Sequence, residues 1–538
     1  MNSDDKQSID YQAECRRREA EIKSLTDIAS SLSQQKDRDQ LLVEILTQVR
    51  HLTYSDGGAL FILADKEGAV LDHDNPLDSK ELLFKVVQND SVSEVEKDFV
   101  SMRVPIDNKS LVGACAINQE VLNIPDVYQM DEDLPYKHDT VWDQRNQYRT
   151  RSILVVPMVG TKGNVLGVIE LINRKKEVDT VLNSVFTTAA SVLAFDKGTE
   201  QFALALASQA AVALENTGLY EDIENLFEGF IHASVRAIEA RDPTTSGHSF
   251  RVAEMTIELA KATSDASIGI YKDVKLNRQS LKEIEYASLL HDFGKMVVPT
   301  EVLVKAKKLY PNDHSTLLDR VQLLKTELRL LAAEKKIKLM EAGEACDHID
   351  IELAVSLQEI DNLKELVLKS NEPSVLEEGD FNDLEKYKGR FLQTSDGREV
   401  PYLQECEFSS LSLKRGTLTV EQRNQIEAHV SHTYAFLKSI PWTQELRNVA
   451  SIAHAHHEKL SGKGYPLGLE AKEIPIQSRM MTIADIFDAL TARDRPYKKA
   501  VPVAKSLDIL QSEVDRGDLD ADLFEIFLDR KIFKYIED

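Results

Sequence analysis

The sequence predicts a multidomain α+β protein, in which an N-terminal α/β part with an antiparallel sheet precedes an all-helical bundle with an inserted helical hairpin. Three observations support this fold class. The 538 residues exceed one domain, since domains average roughly 150 residues. Short apolar runs punctuated by Gly and Asn occupy residues 56–213. Residues 228–510 instead have the apolar spacing of helices, broken by one long insertion.

The composition is that of a folded, acidic protein. Hydrophobic residues make up 42% and charged residues 29% of the chain, which excludes a disordered protein. The net charge of −25 argues against binding to nucleic-acid polymers or to an anionic membrane, and an anionic substrate would need a local positive centre. No apolar run approaches the roughly 18 residues of a membrane span, the N-terminus has no signal-peptide core, and the four cysteines have no CxxC spacing. We therefore expect a reduced, cytoplasmic protein.

Residues 1–50 are expected to form an amphipathic helix. Ile22, Leu25, Ile28 and Leu32 recur at helical spacing on an otherwise polar segment. A surface helix and a dimerising helix fit this pattern equally well.

Residues 51–213 alternate between strand-like and helix-like segments. Strands are predicted over ALFILAD (59–65), RSILVVPM (151–158) and NVLGVIELIN (164–173), and the segment 111–127 begins as a helix and ends in a turn. In this order, and with the closing helix FALALASQAAVALENTGLYEDI, these segments resemble a GAF domain. The resemblance implies a sensory pocket for an unidentified small molecule, or a dimerisation module. Asn173-Arg174 is similar to the start of the Asn-Lys signature of cyclic-nucleotide-binding GAF domains, but its Phe and Asp-Glu partners do not follow, so no cyclic nucleotide is expected there.

A connector helix is predicted over residues 214–240. Its apolar positions repeat like those of a coiled coil, and no Pro or Gly/Ser linker interrupts the segment, although an ordinary core helix would share the pattern. The seam consists of Val212, Leu219, Ile223, Leu226 and Phe230.

The helical domain is predicted over residues 241–510, with an insertion over 310–414 and a C-terminal helical tail over 511–538. Within the insertion, one apolar stripe runs from Leu317 to Leu331 and a second from Leu353 to Ile360. A polar stretch separates the stripes, which predicts an antiparallel helical hairpin. Residues 371–415 are expected to be irregular.

Histidine and aspartate residues recur along the helical domain in a pattern that predicts a metal site. Imidazole and carboxylate together suit first-row divalent metals better than calcium. Seven such residues exceed the needs of one tetrahedral ion, whereas two ions that share a carboxylate can hold both oxygens of a phosphoryl displacement. The ions would also supply the positive charge that an acidic chain lacks. The seven are His248, His291, Asp292, His429, His456, His457 and Asp485.

Four segments, HDFGK, the spaced His429, HHEKLSGKGYP and ADIFDALTARDRPYKKA, resemble the HD-GYP subgroup of HD-domain phosphohydrolases. The resemblance implies two divalent ions, iron or manganese. His248, His291, Asp292 and Asp485 would hold one ion and His429, His456 and His457 the other, with Asp292 bridging. It also implies that Lys295 touches a phosphate oxygen or the nucleophile and acts in catalysis with Asp292. The remaining substrate-binding residues that it implies are Gly464, Tyr465, Pro466, Arg495 and Lys498.

The same resemblance implies a signalling phosphodiesterase that hydrolyses cyclic di-GMP to pGpG, with GMP as a further product left open, under the control of the GAF-like domain. A homodimer is expected from the heptad-like helices. One alternative is a catalytically weak receptor or adaptor that binds a cyclic dinucleotide or partner proteins, and another is an HD-fold di-iron oxygenase, which the GYP loop and the RPYK cations disfavour.

The chain departs from the subgroup in three places. The insertion separates two segments that are normally almost contiguous, and Ser461 and Lys463 replace the usual Asp and Ser beside the GYP loop. Thr244 stands where some members have a third-ion Glu, so two ions are expected.

Overall fold

The computed structural model describes residues 37–65, 80–92, 102–138, 140–241, 247–266, 269–373, 383–492 and 500–536, with a few isolated positions before residue 37. The chain divides into two compact units, Met1–Phe227 and Glu228–Asp538. Of the stripe expected in the first 50 residues, Ile22, Leu25 and Ile28 lie outside the described residues. Among the helices of the described ranges, none is long and apolar enough to cross a membrane.

The first unit is built on an antiparallel sheet in the order β3-β2-β1-β6-β5-β4, with the short β7 paired to β6. This confirms the predicted antiparallel sheet. The strands are β1 Ser55–Asp65, β2 Lys80–Asn89, β3 Arg103–Pro105, β4 Leu122–Ile124, β5 Ile153–Val159, β6 Val165–Lys175 and β7 Val192–Leu193.

Helices cover both faces of this sheet, because successive residues of its strands point to opposite sides. Leu60 and Ile62 of β1 belong to one apolar core and Phe61 and Leu63 to the other. The helices are α1 Arg38–Thr53, α2 Leu111–Asn118, α3 Val141–Asn146, α4 Val185–Ser191 and α5 Lys197–Arg241.

Helix α1 spans the expected boundary at residue 50 and forms part of the first unit. The boundary falls inside α1, and Leu41, Ile45, Leu46 and Val49 of this helix are buried in the core on one face of the sheet. Burial of these side chains against the sheet, not their helical spacing alone, places the helix in the domain. The expected connector over 214–240 is the C-terminal part of the 45-residue helix α5.

The second unit is almost entirely helical. Around the site described below, α6 packs against α7 and α15, and α14 against α7 and α13. The helices are α6 His248–Asp265, α7 Arg278–Leu290, α8 Thr300–Leu303, α9 Pro311–Glu341, α10 Asp347–Ser370, α11 Glu405–Leu411, α12 Val420–Glu427, α13 His429–Ser439, α14 Val449–His454, α15 Ile476–Thr491, α16 Val503–Asp515 and α17 Ala521–Asp529, with 3-10 turns Phe293–Val297 and Ile532–Ile536.

The insertion contains the expected antiparallel hairpin, formed by α9 and α10. Lys335 pairs with Glu352 at 2.9 Å and Lys336 with Asp350 at 2.5 Å across the two helices. The described part of 371–415 is more regular than expected, since it holds α11 and a hairpin of strands β8 Phe391–Gln393 and β9 Glu399–Pro401. Gly397 supplies the positive φ of 85° that the connecting turn requires.

The expected tail over 511–538 begins inside α16 and contacts other parts of the second unit. The backbone N–H of Leu460 donates to the carbonyl of Asp518 at 3.0 Å, and the Tyr271 hydroxyl donates to Asp520 at 2.5 Å. Polar contacts between distant parts of the sequence therefore fix this segment against the bundle.

Candidate metal centre

The structure brings all seven predicted metal ligands to one place. Each is held by a helix or by the turn that follows one. His248 and His429 are the first residues of α6 and α13, His291 and Asp292 directly follow α7, His456 and His457 follow α14 within three residues, and Asp485 lies within α15.

Three groups of three residues have ligand atoms that all lie within 4.8 Å of one another, and the third, His291, Asp292 and His456, takes one imidazole from each of the other two. The first group is His248, His291 and Asp485, in which Oδ1 of Asp485 lies 3.3 Å from Nε2 of His248 and 3.9 Å from Nε2 of His291. The second group is His429, His456 and His457.

Asp292 lies between the two groups. Its Oδ2 is 3.5 Å from Nε2 of His291 and 3.7 Å from Nε2 of His248, whereas its Oδ1 is 3.3 Å from Nε2 of His429. One carboxylate thus directs one oxygen to each group, as a bridge between two ions would require.

Three of the imidazoles are oriented so that Nε2 can coordinate an ion. In His291, His429 and His456, Nδ1 donates to the backbone carbonyl three residues earlier at 2.5–2.6 Å, so in the neutral ring the free lone pair lies on Nε2. These three Nε2 atoms are buried and have no hydrogen-bond partner among the described residues. Because a buried polar atom without a partner is costly, three such atoms within one cluster of candidate ligands fit a metal site better than they fit an empty core.

The charges around His457 and Asp292 favour the protonation states that metal binding needs. Burial holds the pKa of His457 at about 4, so its imidazole is neutral. Burial alone would raise the pKa of Asp292, but Lys295 and the imidazoles of His291 and His429 outweigh it and keep the carboxyl ionised, with a pKa well below its usual range.

Two protein families match this chain. The family model described as GAF domain matches residues 37–214, and the one described as HD domain matches residues 406–523. The chain therefore contains one region that matches GAF domains and a second region that matches HD domains. The ligands from His429 to Asp485 lie inside the second match, while His248, His291 and Asp292 precede the insertion. An HD domain implies binding of divalent metal, and the two groups and Asp292 are its candidate ligands.

Characterised relatives align with parts of the chain. A 3'3'-cGAMP-specific phosphodiesterase of Vibrio cholerae is 40% identical over 101 residues, which are 19% of this chain and 21% of that protein. A probable cyclic di-GMP phosphodiesterase of the same organism is 26% identical over 281 residues, or 52% of this chain and 38% of that one. The chain thus spans about a fifth to two fifths of these relatives. A solved GAF domain of a Coxiella burnetii phosphoenolpyruvate-protein phosphotransferase is 17% identical, with a TM-score of 0.27, over 38% of this chain and 96% of that one.

Asp488 is a functional candidate that the sequence analysis missed. Its buried Oδ2 lies 2.7 Å from Nδ1 of His248, and Arg251 donates to both of its oxygens at 2.6 and 3.0 Å. Asp488 follows Asp485 by three residues on α15, a spacing that places both carboxylates on one face of a helix and could have revealed the pair. Burial would lower the pKa of His248, but Asp485 and Asp488 outweigh it and raise this pKa to about 9.

Two buried or half-buried glutamates shape the backbone around the HD-domain ligands. Glu239 accepts from the backbone N–H groups of Gly247 and Ser249 at 2.9 and 3.1 Å, so it caps the helix that begins at His248. Glu458 accepts from the N–H groups of Leu467 and Leu469 at 2.7 and 2.9 Å, and thereby holds the loop that follows His457. Thr244, on which the expected number of ions partly rests, lies outside the described residues.

The structure describes only some of the residues that were predicted to bind substrate. Nζ of Lys295 lies 2.7 Å from Oδ2 of Asp292, and the ring of Tyr465 lies 4.7 Å from that of His457. A Cβ on Gly464 would lie 2.4–2.6 Å from the backbone of residues 458 and 459, so only glycine fits before Tyr465 and Pro466. Arg495 and Lys498 lie outside the described residues.

The two departures beside the GYP loop have different surroundings. The hydroxyl of Ser461 donates to Asp518 at 2.5 Å, which ties the loop to the segment between α16 and α17. Lys463 is exposed.

Proposed function

We propose that this chain is a metal-dependent phosphodiesterase that hydrolyses cyclic di-GMP to pGpG at a binuclear centre in its HD domain. The observation that carries the proposal is the position of Asp292, whose Oδ2 faces His248 and His291 and whose Oδ1 faces His429. The similarity to cyclic dinucleotide phosphodiesterases supports the same reaction class.

The residues fit two divalent ions, iron or manganese. The set of five imidazoles and two carboxylates is typical of first-row transition metals. When bound, two such ions would lower the pKa of a coordinated water and neutralise phosphate charge. Asp292 would hold both ions, and Lys295 would keep Asp292 ionised and oriented. The ions also give a chain of net charge −25 the positive centre that an anionic substrate needs.

Substrate phosphates would lie beside Lys295 and the loop of Gly464, Tyr465 and Pro466, with Arg495 and Lys498 as further cationic contacts. A second candidate substrate is 3'3'-cGAMP, which the similarity to a phosphodiesterase specific for that dinucleotide supports. Both substrates contain the same 3',5'-phosphodiester and differ in one base, so selectivity between them would depend on contacts between the protein and that base.

The GAF domain would be the regulatory input of a cytoplasmic signalling protein, and helix α5 its route to the HD domain. Leu219, Ile223, Leu226 and Phe230 on α5 are exposed and repeat at heptad-like spacing. This supports a homodimer in which two copies of α5 pair.

The experiment is anaerobic incubation of the full chain, loaded with Fe(II) or Mn(II), with cyclic di-GMP and separately with 3'3'-cGAMP, followed by chromatography of the products. We expect pGpG from cyclic di-GMP. Asp292→Ala should abolish hydrolysis and lower the bound metal, because it removes the shared ligand. Asp319→Ala, at an exposed carboxylate of the insertion, is the matched control and should behave as the unmodified chain.

The other outcomes separate the alternatives. Faster cleavage of 3'3'-cGAMP would replace the substrate and keep the reaction class. Binding of either dinucleotide by the metal-loaded chain without cleavage would support the adaptor. Normal metal content and turnover in Asp292→Ala would overturn the site itself.

A further inference from the structure

The GAF domain contains a half-open cavity of about 300 Å³, which is at the small end of the range for ligand sites. It lies between the sheet and the segments that cover one of its faces. Most of its wall is apolar, and three aromatic side chains contribute to it: Phe61, Phe84 and Trp142.

One acidic side chain, Glu170, interrupts this apolar wall. Glu170 lies on the central strand β6, opposite Ala59 of β1 and Val155 of β5, on the face that also presents Val168 and Ile172. Strand alternation assigns this position to an apolar residue, so the carboxyl is an exception to the pattern of the face.

The carboxyl of Glu170 makes no hydrogen bond or ion pair with the part of the chain that the structure describes. Burial raises its pKa, and His138 offsets this only in part. An ionised carboxylate in such a place is costly unless a cation pairs with it.

The two basic residues of the wall do not supply that cation directly. Lys137 is exposed, so water screens its charge. Nε2 of His138 lies 3.6 Å from Oδ2 of Asp143, so this imidazole faces another carboxylate.

We propose that the cavity of the GAF domain binds a compact organic cation, a protonated amine or amidine with a small planar or apolar body. Its charge would pair with Glu170, and its body would lie among Phe61, Phe84 and Trp142. Aromatic faces attract cations, so the same three rings would favour the charged form of the ligand. This inference does not depend on the reaction of the HD domain.

The test uses three probes of similar size that differ in charge: the cation benzamidine, the neutral benzamide and the anion benzoate. Each is titrated into the full chain by calorimetry. We expect benzamidine to bind, benzamide to bind at least tenfold more weakly, and benzoate not to bind. Glu170→Gln, which keeps the shape of the side chain, should weaken benzamidine binding at least tenfold. Glu120→Gln, at an exposed glutamate of the same domain, should leave it unchanged.

Three results would overturn the proposal. These are no binding of benzamidine, equal binding of benzamidine and benzoate, and benzamidine binding that Glu170→Gln does not change. In the last case His138 would already balance Glu170, or the probe would bind elsewhere. If Glu170→Gln does not fold, the order of affinities of the three probes for the unmodified chain decides alone.

Discussion

Four of the candidate imidazole ligands are oriented by an acceptor at their Nδ1 atom. Three imidazoles of the HD domain use backbone carbonyls for this purpose, whereas His248 uses the side chain of Asp488. A carboxylate behind an imidazole orients the ring and increases the basicity of its other nitrogen. Arg251 in turn pairs with Asp488, so the negative charge is balanced when no ion is bound.

Replacement of Asp488 by Asn should weaken metal binding without unfolding the domain. The amide keeps the size of the carboxylate but loses its charge, and partners of this kind typically contribute 10–100-fold to metal affinity. We expect a loss of about that size when Mn(II) affinity is measured by competition with a chelator.

Asp508→Asn on α16 is the control, since Asp508 is exposed. Unchanged affinity in Asp488→Asn, with an unchanged circular dichroism spectrum, would show that Asp488 has no positioning role.

At the scale of elements, the 3-10 turn Phe293–Val297 fits closely against α13. A Cβ on Gly294 would lie 1.9 Å from the carbonyl oxygen of His429, so glycine is required in HDFGK for packing. The hydroxyl of Thr433 accepts from the N–H of Gly294 at 2.8 Å and donates to the carbonyl of His291 at 2.9 Å. This one side chain thus joins the backbones that carry His291 and His429.

Thr433→Val should lower the free energy of unfolding of the second unit by about 1–3 kcal/mol, because it leaves a buried N–H and a buried carbonyl without their partner. Urea unfolding followed by circular dichroism measures the change. Thr443→Val, at an exposed position, should change it by less than about 0.5 kcal/mol. Equal stability of the two variants would contradict the bridging role of Thr433.

The insertion should be separable from the metal site. Its helices and its β-hairpin share one apolar core, which includes Leu317, Ile360, Tyr402 and Leu411. Lys308 is buried at its base, and Nζ donates to the carbonyls of Leu411 and Leu413 at 3.3 and 2.7 Å. The excision must therefore remove Lys308 together with these carbonyls.

Deletion of 308–413, with a short Gly/Ser bridge from Lys307 to Lys414, should leave a soluble protein with unchanged metal content, because all seven candidate ligands lie outside the deleted segment. Solubility and metal analysis test this prediction. An insoluble or metal-free product would mean that the insertion is part of the HD-domain core.

At the scale of the whole molecule, the chain consists of two compact units, and the candidate ligands belong only to the second. A ligand that binds the folded state raises its stability. Removal of metal should therefore act on the two units unequally.

Treatment with EDTA should lower the unfolding temperature of the HD domain by several degrees and leave that of the GAF domain unchanged. Calorimetry of the Mn(II)-loaded and chelated full chain measures both. In Asp292→Ala the effect of EDTA should disappear. An equal shift of both transitions, or no shift, would contradict the assignment of the metal to the second unit.

The sequence by itself predicted most of the elements and all seven candidate ligands, because both depend on local patterns. Strand alternation and helical spacing identified the sheet and the hairpin. The adjacent pairs His291-Asp292 and His456-His457 are visible in the sequence itself. The packing partner of α1 could not be predicted from local patterns, because an apolar stripe fits burial against a sheet and burial against another helix equally well.

Only the tertiary structure decided which side chains share a site. Asp488 and His248 are 240 residues apart, and their contact depends on how α6 and α15 pack. The same holds for Glu170, whose lack of a partner among the described residues becomes visible only when the strands beside it are aligned. Spacing along the chain reveals neighbours on one helix or strand, whereas burial and pairing between distant segments are properties of the packed molecule.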